Sequence, residues 1–129
     1  MPRSSVTERG DTFVTALAER DYSRLAETLT PDVRMRALIP PGLIEIAGPE
    51  AASAKFSSWF GDAEDLQLVS SGSEAIADRL HVYYRLRVRK PDDVWKLVEQ
   101  HLLCAFDGDR IAALDLICSG FRLDPLSAA

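Results

Sequence analysis

The sequence predicts an α+β fold in which three helices of the N-terminal half cover one face of a curved, mostly antiparallel sheet. Three observations carry that expectation. Up to Gly61, apolar residues recur at helical spacing, interrupted once by a pair of short strand-like runs. From Asp65 onward the chain alternates with period two, in long runs separated by turns rich in Asp, Gly and Pro. The 129 residues, 47% hydrophobic and 27% charged, suit one domain that buries a core without disulfides or metal. Its ordered part is expected over about 5–122.

Each element follows from its own signals. Ser5-Val6-Thr7-Glu8 reads as a capping box, with the hydroxyl and the carboxylate each satisfying an amide of the first turn. Val6, Phe13, Val14, Leu17 and Ala18 then mark one helical face. In "DYSRLAETL", residues Tyr22, Leu25, Ala26 and Leu29 mark a second, short helix, which Thr30-Pro31-Asp32 should end. "VRMRALIPPGLIEIAG" reads as a hairpin-like pair of strands about Pro40-Pro41-Gly42. A third helix opens at Pro49-Glu50 and closes at Gly61, with Phe56, Trp59 and Phe60 on its buried face. Four strands follow, near 65–76, 79–90, 94–106 and 111–121, and the tail "LDPLSAA" is expected to fray.

Alternation sorts the strand residues into faces. Leu80, Val82, Tyr84, Leu86 and Val88 should meet the helices, leaving His81, Tyr83, Arg85, Arg87 and Arg89 outside. In the third long strand Val98, Gln100, Leu102, Cys104 and Phe106 form the more apolar set. The turn at Asp107-Gly108-Asp109-Arg110 decides how the last strand joins. A three-residue loop, Gly108 to Arg110, pairs Asp107 with Ile111 and sets Leu102 opposite Leu116 and Gln100 opposite Cys118. A two- or four-residue loop pairs Phe106 with Ile111 and places Asp115 inside, opposite Leu102. One residue of slip moves every side chain across the sheet, and the first register is preferred because it leaves no acid on the helix-covered face.

Charge and composition narrow the function. A net charge of -5 and a pI near 5.0 argue against a nucleic-acid or anionic-membrane binder, which would want a basic face. "MPRSSVTERGD" shows no apolar signal region, and no apolar run approaches the roughly 20 residues of a membrane span; a cytoplasmic location is the expectation. Cys104 and Cys118 lie in apolar runs and read as free thiols, not directly paired in either register. His81 and His101 have no metal-ligand spacing, so no metal is expected.

The combination of "RDYSRLAETLTPDV", "RALIPPG" with "IAG", the "WF" helix and "VEQHLLCAFDGDRIAALDLICSGFR" resembles the SnoaL-like branch of the nuclear transport factor 2-like superfamily, over roughly Val6 to Arg122. The last strand, with "LICSGFR", is similar to a largely uncharacterised subgroup. The resemblance implies a cone-shaped α+β barrel open at one end, often a homodimer, here expected through the outer sheet face. It also implies a small hydrophobic molecule as partner and no cofactor. Superfamily members include ketosteroid isomerases, polyketide cyclases, limonene-epoxide hydrolases and scytalone dehydratases; others only bind or assemble, so the fold alone does not set the activity. The isomerase tyrosine falls at Phe13, the isomerase base in "RALIP" finds no acid, and the isomerase acid falls at Leu102. The hydrolase aspartate falls near Leu116, and the cyclase acid at His101 or Leu102. The isomerase and hydrolase machinery is therefore expected to be missing.

The remaining candidates come from the residues themselves. Tyr84 and Gln100 are polar groups on apolar inward faces; they either orient a ligand or satisfy one another. Glu99 and His101, two apart on one strand, form a general acid–base pair if they face inward and a charged outer face if they do not. Asp115 is a candidate base only in the alternative register, where desolvation would raise its pKa. Cys118 is a nucleophile only beside a base, and otherwise a small hydrophobe. Arg36 and Glu45 sit where a polar ligand group could bind, or pair with each other. Trp59, Phe60, Phe13, Leu102 and Leu116 are expected in the core or the cavity lining. The reading on which these converge is a cavity for a small apolar molecule. Acid–base cyclisation, isomerisation or dehydration there is one alternative; a non-catalytic binding or assembly module is the other.

Overall fold

A glycine lets the first helix lie close to the sheet. At Gly10 of α1 (Val6–Ala18) an added Cβ would stand 2.9 Å from Leu80 Cδ2 and 3.1 Å from Val82 Cγ2. Phe13, Val14, Ala16 and Leu17 are buried on the same helix. The computed structural model describes residues 6–40 and 42–124, so the Ser5 end of the expected capping box, Pro41 of the first turn and the tail beyond Asp124 lie outside the described residues. The short α2 (Tyr22–Glu27) is capped by Asp21, whose carboxylate accepts from the Arg24 amide at 3.1 Å. In α3 (Pro49–Phe60), proline opens the first turn and Phe56 and Phe60 are fully buried.

The strands are β1 (Leu29–Ile39), β2 (Gly42–Ala47), β3 (Asp65–Ile76), β4 (Arg79–Arg89), β5 (Trp95–Asp107), β6 (Arg110–Cys118) and β7 (Arg122–Leu123). They form one curved sheet in the order β2-β1-β6-β5-β4-β3, with β7 pairing β5. All pairings are antiparallel except β1 with β6, which is parallel and brings the first strand beside the last long one. The sheet is not closed, and the three helices cover its concave face. Leu80, Val82, Tyr84, Leu86, Val88, Val98, Leu102, Cys104, Leu114 and Leu116 meet Phe13, Leu17, Leu25 and Phe56 in the core, as the alternation predicts.

Three expectations need correction. Strand β1 begins at Leu29, so Thr30-Pro31-Asp32 lies within it; the pairing with β6 slips between Leu29 and Arg34, which accommodates a proline that has no amide to give. The hairpin turn has two residues, not three: Asp107 pairs with Arg110 and Phe106 with Ile111. A bulge at Ala112 then restores the favoured register, setting Leu102 opposite Leu116 and Gln100 opposite Cys118. The last strand stops at Cys118, crosses Gly120 at φ +76 and resumes as β7 against Lys96 and Leu97. The start of the tail is therefore held: Asp124 is 2% exposed and accepts from Arg87 Nε at 2.6 Å, with the Arg87 guanidinium over the Trp95 ring.

Candidate functional site

On the concave side, a cleft opens where β1 ends, α3 ends and β6 breaks. It has a volume of about 200 Å³, and its walls include Ile39, Trp59, Val98, Gln100, Cys118 and Phe121. The local sequence builds it in three steps. Gly120 turns the chain so tightly that its own added Cβ would meet Pro40 Cγ at 3.2 Å, which carries Phe121 back over the opening. The Phe121 ring stands edge to face against Phe60, with centroids 6.0 Å apart, and Phe60 does the same against Trp59 at 6.3 Å. Lys90 fixes the rim: its ammonium donates to the Trp59 carbonyl at 2.6 Å and to Asp62 at 2.7 Å, and lies 4.7 Å over the Phe121 ring.

The polar floor of the cleft is a chain of neutral groups. The Tyr84 hydroxyl donates to Gln100 Oε1, and Gln100 Nε2 donates to Cys118 Sγ at 3.3 Å. The Gly120 amide donates to the same sulfur at 3.3 Å. Burial pushes the Tyr84 phenol well above its ordinary range, with Cys118 and Cys104 adding smaller pushes in the same direction. Burial likewise drives the Cys104 thiol up to about 12. Both stay protonated at neutral pH. Tyr84 and Gln100 thus satisfy each other, one of the two readings open at the sequence level. No carboxylate or imidazole lines this cleft among the described residues.

The three acid–base candidates stand on the other side of the sheet. Glu99, His101 and Asp115 all point away from the helices. His101 Nε2 meets Glu99 Oε2 at 2.9 Å, and Arg85 Nε donates to Glu99 Oε1 at 2.9 Å. The His101 N–H, followed by the Arg85 guanidinium, holds the Glu99 carboxyl below its ordinary range. The far nitrogen of His101, Nδ1, meets His81 Nε2 at 2.9 Å. Asp115 accepts from Arg36 Nε at 2.8 Å, so Arg36 spends its hydrogen bond there although Glu45 is its cross-strand neighbour. Asp115, a candidate base only in the register that would bury it, faces outward opposite Leu103, as in the favoured register that the Ala112 bulge restores. Around these groups the outer face carries a shallow groove of about 420 Å³ walled by Arg36, Leu38, Leu43, His81, His101 and Ile117.

Of the expected lining residues, Trp59, Gln100 and Cys118 reach the cleft, with Tyr84 directly beneath. Phe13, Leu102 and Leu116 do not; they are packed in the core at 1%, 0% and 2% exposure. Arg36 lies on the outer face. Sequence reasoning passed over Phe121 and Ile39, which close the cleft mouth, and His81 as a partner of His101. The glycine break in "CSGF" was the available signal for Phe121.

The chain matches the SnoaL-like domain family over residues 11–114, and it belongs to that family. Among solved structures it is similar to a protein provisionally named a polyketide cyclase from Pseudomonas putida KT2440, at 12% identity and TM-score 0.72, covering 98% of this chain and 96% of that one. A protein of ketosteroid isomerase-like fold from Catenulispora acidiphila DSM 44928, solved with trimethylamine, also aligns at 12% identity and TM-score 0.72, covering 87% and 85%. A nuclear transport factor 2-like protein from Burkholderia xenovorans LB400 aligns at 13% identity and TM-score 0.65, covering 96% and 95%. At these identities the likeness shows the shared fold. No curated protein matches the chain. Among the described residues, no helix is long and apolar enough to cross a membrane.

Proposed function

We propose that this SnoaL-like protein holds a small, mostly apolar molecule in the cleft beneath Phe121 without turning it over, and that a second copy packs against its outer sheet face. One observation carries the first part. The cleft offers aromatic and aliphatic walls and one amide, Gln100, while every acid–base candidate stands on the opposite side of the sheet. A cyclase or isomerase needs a base within hydrogen-bond reach of its substrate, and Glu99, His101 and Asp115 are separated from the cleft by the sheet itself. The volume, below the roughly 300 Å³ at which drug-sized sites begin, favours a ligand of about one ring with one polar group.

Support for the second copy is the composition of the outer face. The cross-strand row Leu43, Leu38, Ile117, His101, Tyr83 is apolar or aromatic, and three of its members are more than half exposed. The charges nearest that row already pair within the face, Arg36 with Asp115 and Arg85 with Glu99.

A thermal-shift panel of neutral one-ring hydrocarbons, phenols and ketones tests the cleft. A ligand at about 100 times its Kd should add about 2.7 kcal/mol of stability. Phe121→Ala should weaken it about tenfold or more, while His101→Ala leaves affinity unchanged. Turnover of a bound compound that His101→Ala or Asp115→Asn abolishes would replace this reading with a catalytic one.

A further inference from the structure

The outer face carries four side chains joined in one hydrogen-bonded line: Arg85, Glu99, His101, His81. The two imidazoles are not stacked face to face. Their planes lie within 13° and their centroids 5.2 Å apart, yet two nitrogens approach to 2.9 Å, closer than the about 3.5 Å at which stacked rings rest. The rings therefore lie edge to edge, nearly coplanar, with the hydrogen bond between them.

The proton positions follow from the line's fixed end. Glu99 is a carboxylate and can only accept, so His101 Nε2 carries a proton. In neutral His101 this leaves Nδ1 as an acceptor, so His81 Nε2 must carry the proton between the rings. The lone free acceptor of the pair is then His81 Nδ1. A first added proton goes there and leaves the line intact; the proton between the rings can then sit on either nitrogen, so the charge belongs to the pair, and the one carboxylate in the line, Glu99, already offsets Arg85. A second, on His101 Nδ1, would set two N–H groups head to head at 2.9 Å and break the pair.

We propose that this imidazole pair makes self-association proton-linked: two copies pack through the outer face while the pair is neutral and separate when it is charged. The inference rests on the second-copy reading above. A neutral imidazole in an apolar row is compatible with a dry interface, whereas a buried cation needs a counter-charge. The neighbouring charges are committed elsewhere. On β5, Glu99 holds Arg85 and His101; on β6, Asp115 holds Arg36 of β1; Arg79 of β4 lies by Asp78. Across the outer pairings stand Glu74 of β3, opposite His81, and Glu45 of β2, opposite Arg36. Glu74 alone faces His81 from its neighbouring strand. Its carboxylate sits on an exposed edge-strand position, so it remains hydrated instead of joining a dry contact.

Each protomer takes up one proton on separation, so the dimer Kd should rise by up to about 100-fold for each unit by which the pH falls. Sedimentation velocity of the whole chain between about pH 8 and about pH 5.5 reads this, with circular dichroism on the same samples to follow folding. The expected result is a dimer at the alkaline end, a folded monomer at the acid end, and a His81→Gln variant that stays dimeric throughout. A wild-type dimer at both ends would overturn the proton linkage and leave the second-copy reading standing. A monomer at both ends would overturn both. Acid dissociation undiminished in His81→Gln would place the proton elsewhere and overturn the proposal. A folded state lost with the dimer in wild type but kept in His81→Gln would likewise replace linked assembly by simple unfolding. Nitrogen-15 spectra at the alkaline end supply an independent reading: His101 must be the Nε2–H tautomer, and finding Nδ1–H would remove the basis of the argument.

Discussion

At the scale of single residues, the alternation of "RLHVYYRLRVRK" and "WKLVEQHLLCAF" was enough to say which side chains are buried, but not what each polar one touches. Tyr84 and Gln100 were legible as inward polar groups because each interrupts an apolar set. Their mutual bond depended on the β4–β5 register, Tyr84 opposite Gln100, and that register is set by the Lys90–Val94 loop, whose length no turn type announces. The same register hid the His81–His101 contact. The buried pair has a measurable consequence. Gln100→Leu strands the Tyr84 hydroxyl in the core and should cost about 1–3 kcal/mol, because an unsatisfied buried donor forfeits its full desolvation penalty. Tyr84→Phe with Gln100→Leu removes both partners together and should recover most of that loss. Urea denaturation of the two single variants and the double checks it, and a double variant as unstable as the sum of the singles would mean that the pair is not coupled.

The β5–β6 hairpin shows how elements correct one another. Turn chemistry alone favours the two-residue link that Gly108, at φ +62, allows. Burial alone favours the register with Leu116 inside. The two conflict by one residue, and the chain resolves the conflict by bulging at Ala112, a side chain small enough to be left without a partner across the ladder. Sequence reasoning found both halves and treated them as exclusive, because a bulge has no composition signal stronger than an extra small residue. The register predicts opposite outcomes for neighbours. Leu116→Ala should cost about 2–5 kcal/mol as a core truncation, while Asp115→Ala, on the outer face beside the exposed Arg36, should leave the denaturation midpoint nearly unmoved. A large loss at Asp115 and none at Leu116 would put the bulge elsewhere.

Across the whole molecule, the layer between the helices and the sheet is packed with side chains, and two of the groups in it are acids kept neutral by burial. Cys104 and Tyr84 lie in the same layer beneath the helices, with the Cys104 thiol driven from 9.0 up to about 12 and the Tyr84 phenol pushed above 10.0. Their linkage to stability has one sign. Below about pH 9 both are protonated in the folded and the unfolded chain, and the core's stability is fully present. Above that, the unfolded chain releases the thiol proton while the folded chain retains it, so stability falls until the folded thiol titrates near 12. Tyr84 adds the same trend beginning one unit higher. Comparing wild type with Cys104→Ala isolates the thiol from every other alkaline group. The wild-type stability advantage should shrink by about 1.4 kcal/mol per pH unit once the unfolded thiol ionises. Guanidinium titrations from about pH 8 to about pH 11 read the two slopes directly. Parallel curves would mean that Cys104 ionises as easily inside the sheet as in the open chain, which its complete burial between Leu80 and Leu114 does not permit.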